Sequence, residues 1–225
     1  MTVRGVILDL DGTLVDSRAV HVRCLRAACQ DVGLPRPSAA RIATRSAATD
    51  LATLVRLVGE PGAERALAAY TAHFPLALAE VPAPPRPGAA EAVAALTALG
   101  LALGVCTGRS RDTAAQLLAA AGLAVPLLVA REDVAEPKPA AEGLHRARGL
   151  LGLAADEVVF AGDTAHDVRQ GAAAGITTYL VGGAPGTGPA SLAELPALLT
   201  APAPAAAPAP AAAPAPAAGS AGSTG

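Results

Sequence analysis

The sequence contains very few aromatic residues, and this scarcity argues against one class of function. Its 225 residues include two Tyr, two Phe and no Trp. Proteins that bind single-stranded nucleic acid stack bases on aromatic side chains, so we expect no such surface here. The net charge of −2 and the pI of about 6.1 also argue against a polyanion or an anionic membrane surface as partner. We therefore expect no nucleic-acid partner and no membrane partner.

Cysteine is scarce as well, and its spacing excludes two common kinds of site. The three cysteines are Cys24, Cys29 and Cys106. They form no CxxC pair, and the four scattered histidines do not complete a set with the ligand spacing of a zinc site. The first residues, "MTVRGVILD", lack the pattern of a signal peptide. We expect buried, unpaired thiols in a reducing cytoplasm.

Long hydrophobic runs are also missing. The uncharged stretch Ala92–Gly108 is interrupted by Gly100 and barely reaches the length of a membrane span. It is better explained as a helix followed by a strand. At the other end of the chain, residues 201–225 read "APAPAAAPAPAAAPAPAAGSAGSTG". Frequent proline removes hydrogen-bond donors and blocks helix formation, so we predict a disordered or extended tail without chemistry.

Before this tail, short apolar runs alternate with alanine-rich segments. The runs "GVILDL", "LALGVC", "PLLVA", "EVVFAG" and "ITTYLV" are typical of buried strands in a parallel sheet. Several of the intervening segments end at a glycine, as helices often do. The alternation predicts an α/β fold with a doubly wound, Rossmann-like parallel sheet.

One interval, residues 17–86, breaks this alternation because it contains no strand pattern. Its periodicity predicts helices over Ala19–Val32, Ala39–Val58 and Gly62–His73. We call residues 17–86 the helical insertion. Its position directly after the first strand suggests a lid over the strand ends, although the same pattern would suit a plain helical bundle.

Four of the apolar runs are followed by residues that carry a charge or a hydroxyl. These residues are Asp9, Asp11, Thr107, Lys138, Asp163 and Asp167. Each alone is explained as a turn former, a helix cap or a surface charge. Turn formation, capping and surface charge do not explain why all six residues fall at one sheet edge. Ligands of open α/β sheets bind at the carboxyl ends of the strands, so the six indicate a binding site. Crowded carboxylates need a hard cation, and oxygen ligands with open positions suit Mg²⁺.

The motifs "DLDGT", "CTGR", Lys138-Pro139 and "GDTAHD" occur in the order seen in haloacid dehalogenase-like hydrolases, which the sequence resembles over residues 3–196. The helical insertion resembles the small α-helical cap of phosphoglycolate phosphatases and β-phosphoglucomutases. The resemblance implies a core of residues 1–16 and 87–200 and a cap domain of residues 17–86.

The resemblance also implies a role for each residue at the strand ends. Asp9 would be the nucleophile that forms an aspartyl-phosphate, and Asp11 would be the general acid and base. Thr107 and the backbone amide of Gly108 would bind phosphoryl oxygens, while Lys138 would neutralise negative charge and steady Asp9. These assignments imply an enzyme, a phosphoric monoester hydrolase.

The same resemblance implies a magnesium site. Mg²⁺ would be bound by the carboxylate of Asp9, the backbone carbonyl of Asp11 and the carboxylate of Asp163. Asp167 would act through a water molecule or orient the other ligands. We expect Mg²⁺ to be the cofactor.

Substrate recognition is predicted less sharply, and three residues are candidates for it. Arg109 follows the second motif, Arg45 lies in "ATRSAATD" and His21 lies in "DSRAVH". The resemblance implies that Arg109 lies beside the phosphate, that Arg45 belongs to a substrate-contacting cap segment and that His21 lies near the acid–base aspartate. A small insertion with few aromatics suits a small polar phosphate ester, such as a sugar phosphate or phosphoglycolate. We expect a monomer or a homodimer.

Three functions remain open at this point: a phosphatase, a phosphomutase on the same scaffold and a non-catalytic binding protein. The threonine of "CTGR" favours the phosphatase. Lys138 is the one lysine among 17 basic Lys and Arg residues, so the insertion has no lysine for the Schiff base of phosphonoacetaldehyde hydrolases. Dehalogenases of this family lack the second aspartate, which is present here as Asp11.

Overall fold

The structure is a computed structural model that describes residues 2–183 and 188–201. The predicted tail, residues 201–225, lies outside the described residues except for Ala201.

The described chain contains a parallel sheet of five strands in the order β3-β2-β1-β4-β5. The strands are β1 (Gly5–Leu8), β2 (Ala102–Cys106), β3 (Leu127–Val129), β4 (Val158–Gly162) and β5 (Thr177–Leu180). In the centre of the sheet, Val6 on β1 lies between Leu103 on β2 and Val159 on β4. Each strand falls within one of the apolar runs, so the predicted parallel α/β sheet is confirmed.

Helices connect the strands and also form the insertion. The insertion contains α1 (Arg18–Asp31), α2 (Ala39–Arg45), α3 (Asp50–Val58) and α4 (Glu60–Glu80). The other helices are α5 (Ala89–Ala98), α6 (Arg111–Ala120), α7 (Glu142–Leu150), α8 (Ala165–Ala174) and α9 (Leu195–Thr200). Among the described helices, none combines the length and apolar character needed to cross a membrane.

Hydrophobic packing covers both faces of the sheet. Side chains alternate between the faces of a strand, and this alternation is visible on β1. Ile7 packs in a cluster with Leu144 of α7 and Phe160 of β4, whereas its neighbours Val6 and Leu8 belong to a larger cluster that continues into the insertion. The three cysteines are buried and unpaired, as expected.

The predicted helix Ala39–Val58 is wrong in one respect, because it is two helices with a break between them. The side chain of Thr49 accepts a hydrogen bond of 3.1 Å from the backbone N–H of Ala52 and so caps α3. Hydroxyl side chains at such a position satisfy helix-end donors, which favours a new helix start over continuation. The break places residues 46–49, the inter-helix loop, against the sheet edge that carries the predicted site.

The two connections of the insertion run side by side. The backbone N–H of Asp16 donates to the carbonyl of Pro84 at 2.9 Å, and the N–H of Arg86 donates to the carbonyl of Leu14 at 2.8 Å. Val15 forms an isolated bridge with Pro85. The insertion therefore leaves the sheet and returns to it at one place.

Candidate active site

A cavity of about 430 Å³ lies between the sheet edge and the insertion. All six of the predicted strand-end residues line it. Five of them meet because β1, β2 and β4 are neighbours in the sheet and end at the same edge, and Lys138 comes from the loop after β3, next to β2. From the insertion, His21 and the inter-helix loop contribute to the lining.

At the floor of the cavity, Lys138 is held between two carboxylates. Its Nζ donates to Asp9 Oδ1 at 2.5 Å and to Asp167 Oδ1 at 2.8 Å. Burial disfavours the charged ammonium, but the two carboxylates outweigh this and raise the pKa of Lys138 above its ordinary value. Burial raises the pKa of Asp9 to about 8, and the neighbouring carboxylates add to this effect. Lys138 opposes it but does not cancel it.

Three carboxylates are arranged so that they could hold a metal ion. Ligand oxygens of Asp9, Asp163 and Asp167 lie within 4.8 Å of one another. Lys138 offsets one of the three negative charges, and the remaining two match a divalent cation. Both oxygens of Asp167 are already engaged, with Lys138 and with the Thr164 hydroxyl and N–H. The donor set therefore fits Mg²⁺, with Asp167 suited to an indirect role.

Gly12 provides the turn that brings β1 close to the cluster. Its φ is +81°, a region that disfavours other residues, and a Cβ at this position would lie 2.2 Å from Asp163 Oδ2. The neighbouring Thr13 hydroxyl donates to Asp163 Oδ1 at 3.3 Å. The glycine of "DLDGT" thus allows the first and last motifs to approach each other.

Asp11 is oriented away from this cluster by a buried arginine. Arg109 Nε donates to Asp11 Oδ2 at 2.7 Å, Arg109 Nη2 lies 2.7 Å from Oδ1, and the Ser17 hydroxyl donates to the same carboxylate. Burial opposes ionisation of Asp11, but the guanidinium outweighs this and lowers the pKa of that carboxyl. Sequence analysis missed Ser17, because a serine before a helix indicates only a possible cap.

The second motif contributes Thr107 and Gly108 to the cavity lining. Thr107 is buried, and its hydroxyl accepts a hydrogen bond of 3.2 Å from the backbone N–H of Arg109. Gly108 lies directly below the inter-helix loop, where a Cβ would come 1.9 Å from the carbonyl oxygen of Ala48. Helix α6 begins at Arg111, and the side chain of Ser110 caps it by accepting a hydrogen bond from the backbone N–H of Thr113.

His21 lies in the cavity wall, whereas Arg45 does not reach it. His21 Nδ1 is 2.8 Å from the Tyr70 hydroxyl, and burial lowers the pKa of this histidine. Arg45 is exposed, contacts the backbone carbonyl of Arg56 at 3.4 Å and is not among the residues that line the described cavity. Its role in substrate binding stays a prediction that this geometry does not favour.

The cavity instead receives two other arginines that sequence analysis did not single out. Arg18, at the start of α1, and Arg86, in the return connection, both line it. Arg86 lies 3.9 Å from the carboxylate of Asp16, which also lines the cavity. Their signal was weak in the sequence, because most arginines on helices are surface charges.

Comparison with known proteins identifies the family. The family model for haloacid dehalogenase-like hydrolases matches residues 6–181. This chain belongs to that family. It is 35% identical over 216 residues to the plasmid-encoded phosphoglycolate phosphatase of Cupriavidus necator, covering 87% of this chain and 93% of the relative. It is 34% identical over 194 residues to the phosphoglycolate phosphatase of Rhodospirillum rubrum, covering 79% of each chain.

A solved structure supports the fold assignment. The crystal structure of a predicted phosphoglycolate phosphatase from Haemophilus somnus superposes with a TM-score of 0.76 at 20% identity, covering 88% of this chain and 98% of that one. The resemblance predicted from four short motifs is therefore confirmed, as is the class of enzyme, a haloacid dehalogenase-like hydrolase.

Proposed function

We propose that this haloacid dehalogenase-like hydrolase is a Mg²⁺-dependent phosphatase that cleaves a small organic phosphomonoester through an aspartyl-phosphate. The observation that carries the proposal is the separation of two carboxylates by their partners. Asp9 faces Lys138 and the acidic cluster, whereas Asp11 faces Arg109. Asp9 is placed to attack phosphorus, and Asp11 can act as the general acid and base.

In the first half-reaction, an oxygen of Asp9 attacks the phosphorus atom and forms a new P–O bond. The bond from phosphorus to the substrate's alcohol oxygen breaks, and Asp11 transfers its proton to that oxygen. Lys138 and the donors around Thr107 and Gly108 stabilise the negative charge on the phosphoryl oxygens. The products of this step are the free alcohol and phosphorylated Asp9.

In the second half-reaction, water attacks the phosphorus atom and gives its proton to Asp11. The bond between phosphorus and the Asp9 oxygen breaks, which releases inorganic phosphate and restores the Asp9 carboxylate. Mg²⁺, bound by Asp9, Asp163 and the backbone carbonyl of Asp11, would supply charge neutralisation and orientation of the phosphoryl group. Asp167 would orient this site through its contacts with Lys138 and Thr164.

The helical insertion acts as the cap of a core made of residues 1–16 and 87–200. Its inter-helix loop closes one side of the cavity, and its α1 provides Arg18 and His21. The cavity volume of about 430 Å³ suits a small ester better than a phosphoprotein. The curated relatives named phosphoglycolate phosphatase, together with the cations Arg18 and Arg86, support 2-phosphoglycolate or a similar acidic phosphate as the substrate.

The test is release of inorganic phosphate from 2-phosphoglycolate and a panel of sugar phosphates, with and without Mg²⁺. We expect rapid, Mg²⁺-dependent release from at least one ester and none from D9N protein of unchanged fold. An isomerised sugar phosphate without phosphate release would favour a phosphomutase instead. Lack of any turnover across the panel would contradict a phosphatase of small esters.

A further inference from the structure

The side chain of Arg109 joins the core to the helical insertion inside the protein. It is 6% exposed and makes its paired contacts with Asp11 on the core side. On the other side, Arg109 Nη1 donates to the Tyr70 hydroxyl of α4 at 2.7 Å and lies 3.6 Å from Asp50 Oδ2 of α3. The guanidinium also packs over the ring of Phe74, with its central carbon 5.4 Å from the ring centroid. Each edge of the guanidinium therefore has a partner.

The Tyr70 hydroxyl has a defined direction in this network. Because Arg109 can only donate, the tyrosine oxygen accepts that hydrogen bond. His21 Nδ1 lies 2.8 Å from the same oxygen and forms its second polar contact. Burial and the nearby Arg109 lower the pKa of His21 and outweigh the opposing effect of Asp50, whose Oδ1 lies 3.5 Å from Nδ1. A fully buried hydroxyl with both of its hydrogen bonds made is fixed in place.

The consequence of this network falls on Asp11. A guanidinium is a rigid fork, so the direction in which one edge points fixes the direction of the other. The edge held by Tyr70 thus determines where the edge that holds Asp11 lies. As Asp11 hands its proton to the leaving oxygen it becomes a carboxylate, and the paired contact from Arg109 stabilises that developing charge.

We propose that Tyr70 is a positioning residue for acid–base catalysis, because its hydroxyl fixes Arg109 so that Arg109 aligns Asp11 with the leaving group. This rests on the proposed phosphatase activity. Tyr70 does not line the cavity, so it acts through Arg109 without touching the substrate. The acid–base aspartate would then be correctly aligned only when α4 lies over the sheet edge.

The experiment compares two leaving groups in wild-type and Y70F protein. An alkoxide needs a proton as it leaves, whereas p-nitrophenolate does not, so misalignment of Asp11 slows cleavage of the alkyl ester alone. The constant to compare is kcat/KM, which reports the steps up to the first P–O cleavage. The substrates are p-nitrophenyl phosphate and the alkyl phosphate of the panel that wild-type protein cleaves fastest.

We expect Y70F to lower kcat/KM for the alkyl phosphate about tenfold and to leave p-nitrophenyl phosphate within about twofold of wild type. The matched control is Y179F, which removes the hydroxyl of the chain's other tyrosine, on β5 and outside the cavity lining. It should change neither constant. Equal losses on both substrates, or no loss on either, would mean that Tyr70 is a packing residue only.

A second variant tests the route through Arg109. R109K keeps the positive charge but removes the fork, so it should show the same preference for the better leaving group. The double variant Y70F/R109K should be no worse than R109K, because the hydroxyl then has no fork to align. Additive losses would overturn the route. If wild-type protein cleaves neither ester, the proposed phosphatase function fails; if it cleaves both and Y70F shows no leaving-group effect, this inference fails alone.

Discussion

Replacing Gly108 with alanine tests whether the inter-helix loop must rest directly on the second motif for activity. The new Cβ would lie 1.9 Å from the Ala48 carbonyl oxygen and 3.0 Å from its carbon. Both neighbours are backbone atoms, so no side-chain rotation relieves the overlap. The loop must withdraw by roughly 1 Å or more to restore ordinary contact. The substitution keeps the backbone N–H of residue 108, so a loss of activity reports the displaced loop and not a missing donor.

The expected losses of activity and stability differ in size. A displacement of about 1 Å in a positioning element can lower a rate about 100-fold, so we expect kcat/KM to fall by about that factor. Overpacking costs about 1–3 kcal/mol of unfolding free energy. For a chain of this size that corresponds to a fall in Tm of roughly 2–12 °C, which leaves the protein folded at 25 °C.

The assay measures phosphate release and thermal unfolding for G108A beside a matched control, G149A. Gly149 lies in α7, and no atom is within 4 Å of the position its Cβ would take. Alanine there should raise helix stability by up to about 1 kcal/mol and leave activity unchanged. If G108A keeps kcat/KM within about threefold of wild type, close contact between the loop and the sheet edge is not required for catalysis.

Three further predictions concern the charged cluster. K138R should lower kcat at least about 100-fold, measured by phosphate release. The Lys138 side chain is only 7% exposed, and a planar guanidinium does not fit in its place between Asp9 and Asp167. Near-normal turnover would contradict a need for a compact ammonium. D163N should raise the Mg²⁺ concentration for half-maximal activity at least about tenfold, and an unchanged requirement would remove Asp163 from the metal site. Burial raises the pKa of Asp9 from 3.8 to about 8. Between pH 3.8 and pH 8, Asp9 is therefore protonated in the metal-free folded protein and ionised in the unfolded chain. Stability should therefore fall as pH rises through this window, and Mg²⁺ should raise Tm more at pH 8 than at pH 5 in calorimetry, since at pH 5 it must displace that proton.

The sheet and the residues at its edge could be predicted because their signals are local. An apolar run followed by an acidic residue and a glycine identifies a strand and its end within a few positions, as at Asp9 and Gly12. The order of the runs then brings distant residues such as Asp163 to the same edge, since parallel strands end together.

The residues that sequence analysis missed depend on tertiary contacts. Tyr70 fits the core face of a helix, and its hydroxyl gains a role only through the approach of Arg109 from another element. The helix break at residues 46–49 was missed because the flanking apolar periodicity runs across it, and the capping hydroxyl of Thr49 carries no apolar signal. The role of Arg45 stays a prediction for a similar reason, since helical spacing does not say which face of the insertion meets the cavity.

The paired connections around Val15 and Pro85 have a consequence for how this enzyme could be redesigned. The segments that leave and re-enter the core are hydrogen-bonded neighbours. A helical module whose two ends lie equally close together could therefore replace the insertion without distorting the sheet. A replacement module would join the chain easily at this point, but it would have to supply new partners for Arg109 in place of Tyr70 and Asp50.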